Sequence, residues 1–125
     1  MTRKDRTVYR NKLGSLIKRR LYDILLNDAD DRRFATISVK RLQLNSDMSL
    51  ATVFVETYDN TLDKAALIAA LNKACGFFHI LLKKSLHLKR IPNLEFKYDH
   101  STDYYFQIGE VIEDLKENDS SEIEE

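Results

Sequence analysis

The segment KKSLHLKR, residues 83–90, places Lys83, Lys84, His87, Lys89 and Arg90 within eight positions, interrupted by the apolar Leu86 and Leu88. Cations at this density, mixed with residues that must pack, form a charged rim on a buried element. Such a rim either closes a helix C-terminus or holds phosphates. Lys18, Arg19 and Arg20 form a second cationic run, with Lys12 six residues before its start. Arg32-Arg33, Arg41 and Lys73 extend the set. The chemistry on offer is electrostatic: point charges and guanidinium forks that position a polyanion without reading its sequence.

Covalent chemistry has little support. Cys75 lies inside an apolar segment and reads as a small core residue, not a nucleophile. His79, His87 and His100 lack metal-ligand spacing, and Asp28, Asp30 and Asp31 have no glycine-turned loop, so no metal or other cofactor is expected. Neither a phosphate-binding loop nor a dinucleotide fingerprint is present. The expectation is a protein that binds and does not catalyse.

The elements that must position these cations follow from periodicity. Residues 8–26 repeat Tyr9, Leu13, Leu16, Ile17, Leu21, Ile24 and Leu25 at helical spacing. Residues 34–44 are rich in β-branched residues, and their apolar parity switches between Val39 and Leu42, predicting a bulge near Lys40-Arg41. NSDMS supplies turn residues, and residues 50–58 alternate Ala51, Val53 and Val55 against Thr52, Phe54 and Glu56, completing a hairpin. Asp59-Asn60-Thr61 can cap a helix carrying Ala65, Ala66, Ala69, Ala70 and Ala74, small residues that would let another element approach. A second helix is expected over 77–87. Pro92 then forces extended backbone, and Leu94, Phe96 and Tyr98 point inward from a third strand. Tyr105, Ile108, Ile112 and Leu115 suggest a short last helix.

At 125 residues, 43% hydrophobic and 32% charged, the chain can bury a core without staples. Its formal charge of zero hides a division. Residues 1–109 hold 19 Lys/Arg against 12 Asp/Glu, a difference of +7, whereas residues 110–125 hold eight acids and one lysine, a difference of −7. A basic body with an acidic tail fits a partner of nucleic acid. The predicted organisation is a domain over 1–112 and an acidic tail over 113–125, expected to be disordered. The first residues lack the apolar stretch of a secretory signal, and the apolar stretch from Ala65 to Leu82 contains Asn72, Lys73 and His79, so a membrane span is not expected.

One step interrupts this pattern. Ala74-Cys75-Gly76 sits between two apolar helical segments, where glycine would relax the backbone into a bend. Helix–kink–helix junctions inside α+β modules bind nucleic acid in KH domains through a GxxG loop, which is absent here because position 73 is Lys. The order α-β-β-α-kink-α-β, the A-x-G junction, SLIKRRLYDILL, ATISVKRLQLNSDMSLATVFVET and ALNKACGFFHILLKKSLHLKRIPNLEFKYDHS together resemble the ribosome-binding factor A family over residues 8–112. His79 and His87 stand where that family often carries arginine, and DADDRR replaces its Asp-Pro-Arg.

The resemblance implies an α+β, KH-like (type II) domain with three strands, helices on one face, and the A-x-G kink (Ala74, Cys75, Gly76) in place of GxxG. It implies a cytoplasmic, monomeric, non-enzymatic assembly factor that binds the free small (30S) ribosomal subunit and 16S rRNA. That factor supports 5′-end processing and matters most in the cold. The RNA-binding residues expected on this reading are Lys12, Lys18, Arg19, Arg41, Lys73, Lys83, Lys84, His87, Lys89 and Arg90. Two other readings stand beside it: a protein-interaction module using Tyr104-Tyr105-Phe106 and the tail, and a generic single-stranded RNA binder.

Overall fold

The computed structural model describes residues 2–102. The expected last helix, the Tyr104–Phe106 cluster and the acidic tail therefore lie outside the described residues. Helix α1 spans Arg3–Asp23, five residues earlier than the apolar repeat predicts. Thr2 caps it, accepting from the Asp5 backbone N–H at 3.2 Å and donating to the Asp5 carboxylate at 2.8 Å. Its buried stripe is Leu13, Ile17 and Leu21. The NDADDRR segment does not simply break the helix: one π turn, Ile24–Asp28, carries it on and buries Ile24 and Leu25. A short 3-10 turn, Arg32–Thr36, then leads into the sheet.

Strands β1 (Ile37–Leu44) and β2 (Leu50–Thr57) form the predicted antiparallel hairpin. Val39 faces Val55 and Arg41 faces Phe54, leaving Lys40 as the extra residue of a bulge. The bulge lets Ile37 and Val39 share a face with Leu42 and Leu44 despite their opposite parity. Asn45 closes the hairpin by accepting from the Leu50 N–H at 2.9 Å.

Helix α2 is Lys64–Lys73, α3 is Cys75–Leu86 and β3 is Asn93–Tyr98. Asp63, and not the Asp59-Asn60-Thr61 segment, is the cap of α2, accepting from the Ala66 N–H at 3.2 Å. Asp59 instead folds its own turn around Thr61. The alanines also behave differently from expectation. Ala65, Ala66 and Ala69 are exposed and serve helix propensity, while Leu67 and Leu71 make the contact with the sheet.

Strand β3 pairs in parallel with β2, giving the order β1-β2-β3 with the helices on one face. The architecture is α+β, as the residue pattern predicts. Phe78 lies at its centre, fully buried, with ring centroids 5.9 Å from Phe34 and 5.6 Å from Phe96. Leu82, Leu67, Val53 and Ile17 complete a core whose two layers are joined by one large aromatic anchor.

Candidate nucleic-acid interface

The bend between α2 and α3 is one residue long. Ala74 adopts φ −88° and ψ 2°, its N–H is shared between the carbonyls of Ala70 and Leu71 at 3.1 Å each, and the helix axes meet at 54°. This geometry is open to any L-residue, so the bend does not use glycine's conformational freedom. Gly76 has no positive φ and sits inside the first turn of α3. A Cβ built there would meet nothing within 4 Å. The expectation that Gly76 relaxes the backbone into the bend is therefore corrected. Alanine at the pivot suffices, and the space over Gly76 is open to the outside.

The bend lays one helical stripe along the outer edge of β3. Asn72 accepts from the Phe96 N–H at 2.7 Å and donates to the Phe96 carbonyl at 3.2 Å, imitating the next strand. The Cys75 thiol donates to the Leu94 carbonyl at 3.2 Å, and His79 Nε2 lies 3.2 Å from the Ile91 carbonyl. Burial raises the Cys75 pKa, so the thiol stays protonated at neutral pH and is a poor nucleophile. Cys75, Gly76, His79, Asn93 and Leu94 bound a shallow groove of about 440 Å³ beside this edge.

The cations singled out in the sequence occupy several places. Lys73 precedes the bend, and an exposed stripe at helical spacing runs Lys73, Phe77, Ile80, Lys84, with Phe77 45% and Ile80 56% exposed. Sequence reasoning missed Phe77 and Ile80 because their apolar side chains read as core. Only their phase, shifted from Phe78 and Leu82, marks them. An exposed aromatic between lysines can stack an unpaired base.

Lys83, Lys84, His87, Lys89 and Arg90 are all exposed at the end of α3 and in the loop beyond it. His87 is the C-cap of α3, with φ 51° in the left-handed region, so its first duty is to end the helix. Arg90 lies near Asp47, whose pKa is lowered chiefly by hydrogen bonds from Ser49 and further by the Arg90 charge. Among the described residues, none of Lys83, Lys84, Lys89 and Arg90 forms an ion pair. Arg20 donates to Ser85 Oγ at 2.8 Å, joining the end of this segment to the cationic run on α1.

On α1, Lys12 and Arg19 are exposed and seven residues apart, on the side away from Leu13 and Ile17. Lys18 turns toward the sheet and donates to the Lys40 carbonyl at 3.3 Å. Arg41 is committed elsewhere: its guanidinium stands 4.0 Å over the Phe54 ring, a cation–π contact that holds it on the open sheet face. Arg33 is bound bidentately by Asp31, with its closest contact at 2.7 Å, and Arg20 pairs with Asp28 at 3.7 Å. DADD thus serves as the local counter-charge for the arginines around it. Among the described residues no single helix is long and apolar enough to cross a membrane, and the bent α2–α3 pair lies largely in the core through Leu67, Leu71, Phe78 and Leu82.

A family model described as "Ribosome-binding factor A" matches residues 9–112. The ribosome-binding factor A of Staphylococcus saprophyticus is 35% identical over 108 residues, covering 86% of this chain and 95% of the relative. That of Halothermothrix orenii is 31% identical over 114 residues, 91% and 93% respectively. The crystal structure of ribosome-binding factor A from Thermus thermophilus superposes with a TM-score of 0.64 at 25% identity, over 71% of this chain and 93% of the other. Coordinates of the Thermus thermophilus factor fitted into a cryo-EM map of a 30S complex give 0.60 at the same identity and coverage.

Proposed function

Because the chain belongs to the ribosome-binding factor A family, we propose that it is a non-enzymatic factor of ribosome assembly. It acts in the cytoplasm as a monomer, binds the free small subunit through 16S rRNA, and supports maturation of that RNA's 5′ end. The observation that carries the rRNA reading is the exposed run Lys83, Lys84, Lys89 and Arg90, in which, among the described residues, no carboxylate is bonded to a cation. Charges not bonded to a carboxylate among the described residues are available to phosphates, each of which releases counterions on contact. The open space over Gly76, between Lys73 and the groove beside β3, gives a backbone room to come close. Phe77 offers a ring to an unstacked base. Binding energy that is larger for one arrangement of rRNA than for its competitors shifts the population toward that arrangement without a covalent step.

Cosedimentation with purified small subunits tests this reading. If about six phosphates are contacted, log affinity falls with log salt at a slope of roughly −4 to −5. Changing Lys83, Lys84, Lys89 and Arg90 together to Glu is expected to abolish binding while the fold is kept. A folded quadruple variant that sediments with subunits as the wild type does would remove the site. Equal affinity for short oligonucleotides and for intact subunits would favour a generic single-strand binder.

A further inference from the structure

Helix α1 outruns the core it serves. Leu13, Ile17 and Leu21 are buried, yet residues 2–9 are exposed at every position, so the first two turns and more stand clear of the body. A segment of this length gains little stability from its own backbone bonds in water, and the Thr2 cap supports its end. The family model matches from residue 9, so the tip of the arm lies outside the region that model covers.

Arg3, Arg6, Arg10, Leu13 and Ile17 follow at intervals of three, four, three and four, and so form one stripe. The stripe that seals α1 to the sheet becomes arginine where the helix passes beyond it. Below lies a groove of about 630 Å³ between α1 and the outer edge of β1, lined by Arg10, Gly14, Lys18, Arg41, Leu42 and Leu44 among others, and among the described residues no acid lines it. Gly14 lies in the middle of the helix, where glycine weakens it. A Cβ there would come 3.7 Å from Leu42 Cδ2 and 3.8 Å from Leu44 Cδ1, ordinary contacts, so the protein's own packing does not demand glycine.

We propose that this cleft seats a stretch of RNA phosphodiester backbone, held by Arg3, Arg6 and Arg10 on the arm and by Lys18 at its inner end, with bare Gly14 as the floor. The inference rests on the rRNA-binding reading above and adds a second, separate grip to it. Guanidinium forks fit phosphate oxygens two at a time, and among the described residues β1 leaves its outer edge unpaired beside them. An acidic peptide would satisfy the charges but would not call for a floor stripped of its side chain next to a row of cations on one helix.

The test uses the full chain and purified small ribosomal subunits as probe. Arg3, Arg6 and Arg10 changed together to Glu are expected to weaken binding at least tenfold at low salt and to make the log–log salt slope shallower by about 2 to 3. Thermal unfolding should change little, because Arg3 and Arg6 are exposed and Arg10 is only partly buried. Gly14→Gln, which fills the floor without altering charge, is expected to weaken binding as well. Wild-type affinity and slope in the triple variant would overturn the proposal while leaving the Lys83–Arg90 site intact. Weakened binding with an unaltered slope would assign the arm to a protein contact and overturn it equally. If the wild type itself does not sediment with subunits, the rRNA reading and this cleft fall together.

Discussion

At the scale of single residues, Gly76 separates what the fold needs from what binding needs. The pivot of the bend is Ala74, and among the described residues nothing stands over Gly76. Gly76→Ala is expected to leave the fold intact and to raise stability by up to about 1 kcal/mol in urea unfolding, since it removes helical glycine entropy. The same variant is expected to lose affinity for small subunits. Marked destabilisation would restore glycine as the cause of the bend. Asp99 gives a pH signature. Ser101 hydrogen bonds, followed by the charges of Arg41 and Lys40, hold its pKa below the ordinary 3.8. The folded state then binds this proton less readily than the unfolded chain. Its contribution is complete above about pH 5 and is lost as pH falls through 3.8 toward the lower folded value. Asp99→Asn should flatten the decline of stability below pH 4 in acid titrations followed by circular dichroism. Neither residue's role was legible beforehand. The Gly76 pattern pointed to the right place for the wrong cause, and Asn72, which stands in for a neighbouring strand, spends its amide on backbone atoms that no motif marks.

At the scale of elements, the sequence was informative wherever burial imposed a period. The bulge at Lys40 was visible because an apolar face cannot change parity inside a regular strand. The junction at Ala74 was visible because small residues interrupt two apolar repeats. The first two turns of α1 were missed because nothing there is buried. Their only signals were Thr2 three residues before Asp5 and an arginine stripe in phase with Leu13. Thr2→Ala is accordingly expected to speed amide exchange over residues 3–6, where a lost cap is worth about 0.5–2 kcal/mol locally. The midpoint of global unfolding should not move, since the arm is exposed along residues 2–9. A fall in that midpoint would mean the arm is packed and not free.

At the scale of the whole molecule, the charge division of +7 and −7 predicts a further behaviour. Removing residues 117–125 is expected to tighten binding to unrelated RNA at low salt, because a tethered polyanion competes for the same cations. Filter binding with a non-ribosomal RNA measures it, and equal affinity for both chains would reject the competition. The family and the layered architecture were legible because they are written over a hundred positions. The ligand surface was only partly so, because exposed cations lack periodicity and some, like Arg33 and Arg41, prove to be engaged by Asp31 and Phe54.

The stripe of Asn72, Cys75 and His79 along β3 has one more consequence. A three-stranded sheet has two margins on which another copy could polymerise, and here the β3 margin is sealed by side chains of its own helices. The β1 margin is left to the deterrents of a bulge and Lys40. Fibril growth by successive strand addition requires both margins. This fold can therefore end a stack of strands, but it cannot extend one.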